Sequence, residues 1–172
     1  MAGYMKPFQI AGNLYFVGAY EASSHLIVTE EGLILIDTGY PETAKIIIDS
    51  VAKLGFDIKE LKYILHTHGH IDHMGGTKEL AELTHAKTCI SAADKGYADG
   101  SEPLSWAQEI GRIYNTAFKP DLLLKDGDVI TLGSAEIKCI ATPGHTPGTM
   151  CLGQFFLRIT EETGILGKAV VY

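Results

Sequence analysis

Apolar residues in this chain fall into short runs broken by glycine, proline and acidic residues, and the spacing within each run predicts its element. Residues 14–17 form a short apolar strand. Residues 25–29 and 33–36 are β-like and flank Glu30-Glu31-Gly32, the composition of a hairpin turn. The second of them runs straight into Asp37-Thr38-Gly39. Pro41 then opens a stretch in which Ala44, Ile47, Ile48, Val51 and Leu54 share one helical face, with Gly55 as the stop. Residues 61–65 read as a short buried strand. After Gly75-Gly76, Thr77 reads as the N-cap of a helix through Leu83, and residues 88–91 as another strand. Strands and helices alternating in this order predict an α/β layered fold.

Further on, residues 94–103 read as a loop. Residues 105–114 read as a helix whose Trp106, Ile110 and Ile113 pack into the core. After Asp126-Gly127 the pattern turns to β, with residues 129–132 and 136–141 joined by Gly133-Ser134. Thr142-Pro143-Gly144-His145-Thr146-Pro147-Gly148 follows as a loop. Two more β-like runs, 149–159 and 165–172, surround a Glu-Glu-Thr-Gly turn. The last run ends at Tyr172 with no turn, cap or polar tail after it. There is no internal repeat, linker or low-complexity tract.

A chain of 172 residues suits one domain with a substantial core. Its formal net charge is −7, with 14 Lys and Arg against 21 Asp and Glu, which disfavours a nucleic-acid partner. No run approaches the ~20 apolar residues that cross a bilayer, so no membrane partner is expected. The N-terminus lacks a signal-peptide layout. That predicts a cytoplasmic protein, or a periplasmic or secreted one whose leader has been removed. Cys139 and Cys151 read as small strand residues. The spacing of the three cysteines leaves one disulfide among them open.

The chemistry concentrates at residues 66–76, His-Thr-His-Gly-His-Ile-Asp-His-Met-Gly-Gly, directly after a predicted strand. Zinc takes imidazole nitrogen and carboxylate oxygen. His68 and His70 are two apart, so alternation at the strand end points both side chains the same way. Asp72 and His73 follow where the chain turns towards a helix, and they diverge to serve a second metal. Gly75-Gly76 is expected to let the backbone turn tightly beside the ions. Five ligand-type residues between His66 and His73 would be costly to bury without a purpose. His145, held between glycines and prolines, can supply a third imidazole. His68, His70 and His145 then make a three-histidine site with an open fourth position, the layout of a catalytic rather than a structural zinc. Iron and manganese accept the same donors. His66 is expected to support the ligands rather than bind metal. Asp37, at the end of an apolar strand, is expected to orient a ligating histidine through its other ring nitrogen. His25 and His85 are isolated and read as structural or surface residues.

Leu-Ile-Asp-Thr-Gly, Thr-His-Gly-His-Ile-Asp-His-Met-Gly-Gly and Thr-Pro-Gly-His-Thr-Pro-Gly resemble, in order and spacing, the metallo-β-lactamase superfamily. The Ser-Ala-Ala-Asp segment at 91–94, the Asp126–Gly133 hairpin and Pro-Gly-His-Thr-Pro-Gly-Thr at 143–149 resemble the third subclass of metallo-β-lactamases. The resemblance runs from about Leu14 to the C-terminus. It implies an α/β fold, a four-layer αβ/βα sandwich with two zincs at one edge between two sheets. By position, His68, His70 and His145 would hold the first zinc and Asp72 and His73 the second. In that subclass the second zinc takes one more histidine from the C-terminal part of the domain. Other branches use an aspartate after the Pro-Gly-His loop, and no Asp occurs between Thr149 and Tyr172. The expectation is one domain over residues 1–172, incomplete at its C-terminus, with the first metal site intact and the second crippled.

The resemblance further implies a hydrolase in which metal-bound hydroxide attacks a carbonyl of a small-molecule substrate. A β-lactam amide is favoured, and antibiotic resistance is the role that follows. Asp72 would be the catalytic carboxylate, ligating, steering the hydroxide and shuttling a proton. No covalent enzyme intermediate is needed, in keeping with the absence of a Ser-His-Asp or Cys-His signature. The missing signal layout favours an alternative, a cytoplasmic lactone or thioester hydrolase. A further alternative is a catalytically crippled metal-binding fragment that self-associates through an exposed strand edge at residues 169–172.

Overall fold

A computed structural model describes residues 4–103, 115–154 and 169–171. The first of its two sheets has seven strands in chain order: β1 (Phe8–Ala11), β2 (Leu14–Phe16), β3 (His25–Thr29), β4 (Gly32–Ile36), β5 (Leu61–Leu65), β6 (Lys87–Ser91) and β7 (Leu122–Leu124). Strands β1 to β4 pair antiparallel, and β4 to β7 pair parallel. The second sheet is antiparallel, in the order β11-β10-β9-β8, from β8 (Val129–Leu132), β9 (Ala135–Ala141), β10 (Met150–Gln154) and β11 (Ala169–Val171). The helices are α1 (Thr43–Lys53), α2 (Ile71–Met74), α3 (Thr77–Thr84) and α4 (Lys95–Asp99), with 3-10 turns at Ile58–Glu60 and Ala92–Asp94.

Alternation along the strands divides the core in two. Ile34 and Ile36 of β4, Leu65 of β5 and Cys89 of β6 pack against Ile137, Cys139 and Leu152 of the second sheet. The other face of the first sheet, with Leu26, Leu33, Leu35 and Ile64, packs on Ala44, Ile47 and Val51 of α1 and Leu80 of α3. Covered on both faces, β4 is buried at all five positions, which explains its continuous apolar run. Strand β9 is covered on one face only. Ala135, Ile137 and Cys139 are buried, while Glu136, Lys138 and Ile140 are exposed. The expected α/β layering is therefore present as helices, sheet and sheet, with no outer helix layer on the second sheet among the described residues.

Some elements depart from the sequence pattern. Strand β1 is exposed throughout and β7 is three consecutive leucines, so neither shows an alternation to read. Helix α4 falls inside the stretch expected to be a loop. At five residues it is too short to carry a 3.6-residue repeat. Thr77 does not cap α3 from outside, because Gly76 takes that place and the threonine side chain turns inward. The expected helix at 105–114, with Trp106, Ile110 and Ile113, lies outside the described residues. So does most of the two final β-like runs. The three cysteines form no disulfide; burial pushes the thiols of Cys89 and Cys139 up to about 12 and about 11, the state of inert packing residues. No helix among the described residues is long and apolar enough to cross a membrane.

The two faces of β9 make a direct test. Ile137→Ala is expected to lose about 2–5 kcal/mol in urea unfolding, and Ile140→Ala, on the exposed face, less than about 1 kcal/mol. Equal losses would mean that the second sheet does not pack as described.

Candidate metal centre

The parallel strands β4, β5 and β6 end at the same sheet edge, and the residues after them are brought together there. Asp37 follows β4, His66 to His70 follow β5, and Asp94 follows β6. The loop between β9 and β10 delivers His145 from the second sheet. It is docked by a hydrogen bond from the Met150 amide to the Thr67 carbonyl (2.8 Å). Four imidazoles cluster as a result: the ring centroid of His68 lies 4.8 Å from that of His70, 4.1 Å from that of His73 and 4.7 Å from that of His145.

Two overlapping donor sets follow. His68, His70 and His145 offer ligand atoms all within 4.8 Å of one another, as do His68, Asp72 and His73. Exposure rises from buried His68, through half-buried His70, Asp72 and His73, to exposed His145, so the cluster opens towards solvent on one side.

Hydrogen bonds fix where the protons sit. Asp37 Oδ1 accepts from the Thr67 amide (2.8 Å), and Oδ2 accepts from the Thr67 hydroxyl (2.6 Å) and from His73 Nδ1 (2.8 Å). A carboxylate only accepts, so His73 carries a proton on Nδ1 and turns Nε2 towards the cluster. The Thr67 hydroxyl, having given its single proton to Asp37, accepts from His68 Nδ1 (3.0 Å). His68 therefore presents an unprotonated Nε2. That atom is buried and has no hydrogen-bond partner among the described residues. A buried lone pair with no donor facing it is costly unless an electrophile fills the gap. Two imidazoles and a third from a separate loop, with a carboxylate beside them, are the donors a divalent metal takes.

Electrostatics favour neutral rings at His68 and His70 but not at His73. Burial, aided by the neighbouring imidazoles, lowers the pKa of His68 to about 3, and burial and His145 lower that of His70. Both rings are neutral at neutral pH, the form that binds metal. Burial acts against ionisation of Asp37, but the hydrogen bond and charge of His73 outweigh it and hold the carboxyl below its ordinary range. Burial likewise opposes protonation of His73, yet Asp37 prevails and raises its pKa, which favours a second proton on Nε2 that a bound metal would have to displace. Asp37 itself sits in the left-handed region at φ 56°, which aspartate tolerates better than most residues.

His66 points away from the cluster. It is buried, with Nδ1 2.9 Å from the Cys89 carbonyl and Nε2 2.7 Å from the Thr77 hydroxyl, which meets that of Thr38 at 3.0 Å. Since a carbonyl only accepts, Nδ1 donates and Nε2 accepts from Thr77. The Thr38 amide in turn holds the His73 carbonyl at 2.7 Å. Gly75 and Gly76 are not there for unusual dihedrals, since their φ values are −62° and −83°. A side chain at Gly75 would strike Pro41, and one at Gly76 the Thr38 carbonyl. They permit close packing rather than a tight turn. His25 lies on β3 and His85 caps α3 in the left-handed region; neither belongs to the donor sets. The threonines Thr38, Thr67 and Thr77 and the buried Asp94 were not singled out for these contacts by sequence. Isolated hydroxyls carry no periodic signal, and Asp94 stood out only within Ser-Ala-Ala-Asp.

Two face-to-face sheets with helices on the outer face of the first, and a histidine-rich edge between them, are three of the four layers of an αβ/βα sandwich; an outer helix layer on the second sheet is not found among the described residues. A family profile described as the metallo-β-lactamase superfamily matches residues 17–159. The chain belongs to the metallo-β-lactamase superfamily. It is 35% identical over 161 residues to the uncharacterized protein YobT of Bacillus subtilis, covering 90% of this chain and 64% of that protein. It is 27% identical over 165 residues to an N-acyl homoserine lactonase of a Bacillus species (81% and 59% covered). It is 26% identical over 159 residues to the human acyl-coenzyme A thioesterase MBLAC2 (80% and 56% covered). Among solved structures, the subclass B3 metallo-β-lactamase BJP-1 of Bradyrhizobium japonicum superposes with a TM-score of 0.85 at 35% identity (94% and 60% covered). The metallo-β-lactamase FEZ-1 of Legionella gormanii superposes at 0.83 and 34% identity (90% and 59% covered). The chain thus spans less than two thirds of the length of each of these proteins.

Asp37→Asn keeps the shape but sets an amide N–H2 against groups that already donate. It is expected to weaken metal binding by about 10- to 100-fold, measured by competition with a chromogenic chelator. Unchanged affinity would show that Asp37 does not orient His73.

Proposed function

We propose that this chain carries the metal centre of a hydrolase. The observation behind this reading is the buried His68 Nε2, with no hydrogen-bond partner among the described residues and grouped with His70, His145, Asp72 and His73. His68, His70 and His145 would hold a first metal, and Asp72 and His73 belong to a second. Zinc suits this mixture of imidazole and carboxylate, and iron or manganese would also be accepted. When bound, such a metal lowers the pKa of water towards neutrality and polarises a substrate carbonyl.

The chain's own residues do the rest. Asp37 and Thr67 keep the Nδ1 protons of His73 and His68 in place, so both Nε2 atoms stay aimed into the site. Asp72, half-buried with Oδ2 3.6 Å from His73 Nε2, is the carboxylate placed to take a proton from an attacking water and return it to a leaving group. Exposed His145 lies at the solvent-facing side of the cluster, where a carbonyl substrate would enter.

The favoured substrate is a β-lactam amide, supported by the subclass B3 enzymes among the structural neighbours, which would give the protein a role in antibiotic resistance. The similarity to a lactonase and a thioesterase supports the alternative of a lactone or thioester substrate. Hydrolysis of a chromogenic cephalosporin by the zinc-loaded protein is the expected result. Turnover of lactones or acyl thioesters with none of the cephalosporin would replace the first reading by the second.

Among the described residues the two donor sets share His68, so the second set adds only Asp72 and His73 of its own. Titration with zinc is expected to give one tightly bound ion per chain, with a second binding at least about tenfold more weakly. Two equally tight ions would overturn the crippled second site.

A further inference from the structure

Asp94 is a fully buried carboxylate whose described contacts are all with the two loops that carry the first donor set. It lies at the end of the 3-10 turn after β6. Oδ2 accepts from the Gly69 amide (2.8 Å) and from the Thr146 hydroxyl (2.6 Å), and Oδ1 accepts from the Gly148 amide (2.7 Å). Gly69 stands between His68 and His70, and Thr146 directly follows His145. One side chain therefore ties a loop of the first sheet to a loop of the second, at the residues adjoining all three imidazoles.

The surroundings are shaped to admit this contact. A Cβ on Gly148 would lie 2.5 Å from Asp94 Cγ, and one on Gly69 would lie 2.8 Å from the Tyr97 ring and 3.2 Å from Asp94 Cβ. Only glycine lets both backbone amides reach the carboxylate. Thr146 is buried as well, and its hydroxyl also meets that of Thr149 at 2.9 Å. Asp94 is not one of the grouped donors; its carboxylate bonds the loops that carry them, and its charge reaches His70.

We infer that Asp94 is a positioning residue that sets the spacing of His145 relative to His68 and His70, and thereby the affinity of the first metal site. This rests on the reading of those three histidines as metal ligands. Three donors converge on two oxygens, so an amide cannot replace the carboxylate. With its oxygen at the Oδ2 position, an asparagine would place its N–H2 against the Gly148 amide. Turned over, it would face the Gly69 amide and leave that donor without an acceptor. Either way one loop is released from the other.

The test uses the 172-residue chain with Co2+ as the probe, read by chelator competition and by the visible ligand-field bands. Asp94→Asn is expected to bind Co2+ about 10- to 100-fold more weakly than the parent, with altered bands. The Gly69 or Gly148 amide is expected to exchange its hydrogen faster in the metal-free protein. A folded Asp94→Asn with parental affinity and bands would overturn the inference, even if its thermal stability fell, because that outcome marks a purely structural carboxylate. Should Asp94→Asn fail to fold, Thr146→Val decides. It removes one of the three donors and is expected to weaken Co2+ up to about tenfold; unchanged affinity would overturn the inference. If the parent itself bound no Co2+, it is the metal reading that would fail, which separates the two.

Discussion

The arrangement at the sheet edge depends on the carboxylate of Asp37. It is buried, it sits on a strained left-handed residue, and it accepts three hydrogen bonds from Thr67 and His73. A buried carboxylate is costly unless its oxygens are satisfied, and here each bond that satisfies it also dictates a proton position. His73 must give Nδ1–H. Thr67 must give its hydroxyl proton and is left as an acceptor for His68. Two imidazoles are thereby turned to aim their Nε2 atoms at the same place.

The rest of the fold makes that local chemistry achievable. Parallel pairing of β4, β5 and β6 carries three strand ends to one edge, which is where open α/β sheets gather their functional groups. The antiparallel second sheet then supplies what the first cannot, an imidazole arriving from the opposite side. Its docking is recorded in the Met150–Thr67 backbone bond and in the contacts of Asp94 with Thr146 and Gly148. The hydrophobic contact between the sheets brings these loops within range, and the buried polar groups determine their spacing.

Much of this was legible in the chain itself. The apolar runs at 33–36, 61–65 and 136–141 marked strands that the structure forms as β4, β5 and β9. The His-x-His and Asp-His spacings, with a histidine in a Pro-Gly-rich loop, identified the donors that the structure gathers. Strands β1 and β7 and helix α4 were not legible, because short or uniformly exposed segments have no period. The part played by Gly75 and Gly76 was misread: their dihedrals are ordinary, and it is the nearness of Pro41 and Thr38 that requires them.

The sequence by itself determined which side chains could donate to a metal and where most of the strands lie, because both follow from residue type and local spacing. It could not determine the protonated nitrogen of each imidazole, the inward turn of His66, or the tie that Asp94 makes between two loops. Those depend on which atom lies opposite, and that atom belongs to a residue distant in the chain. Only the packing of one sheet on the other decides which residue that is.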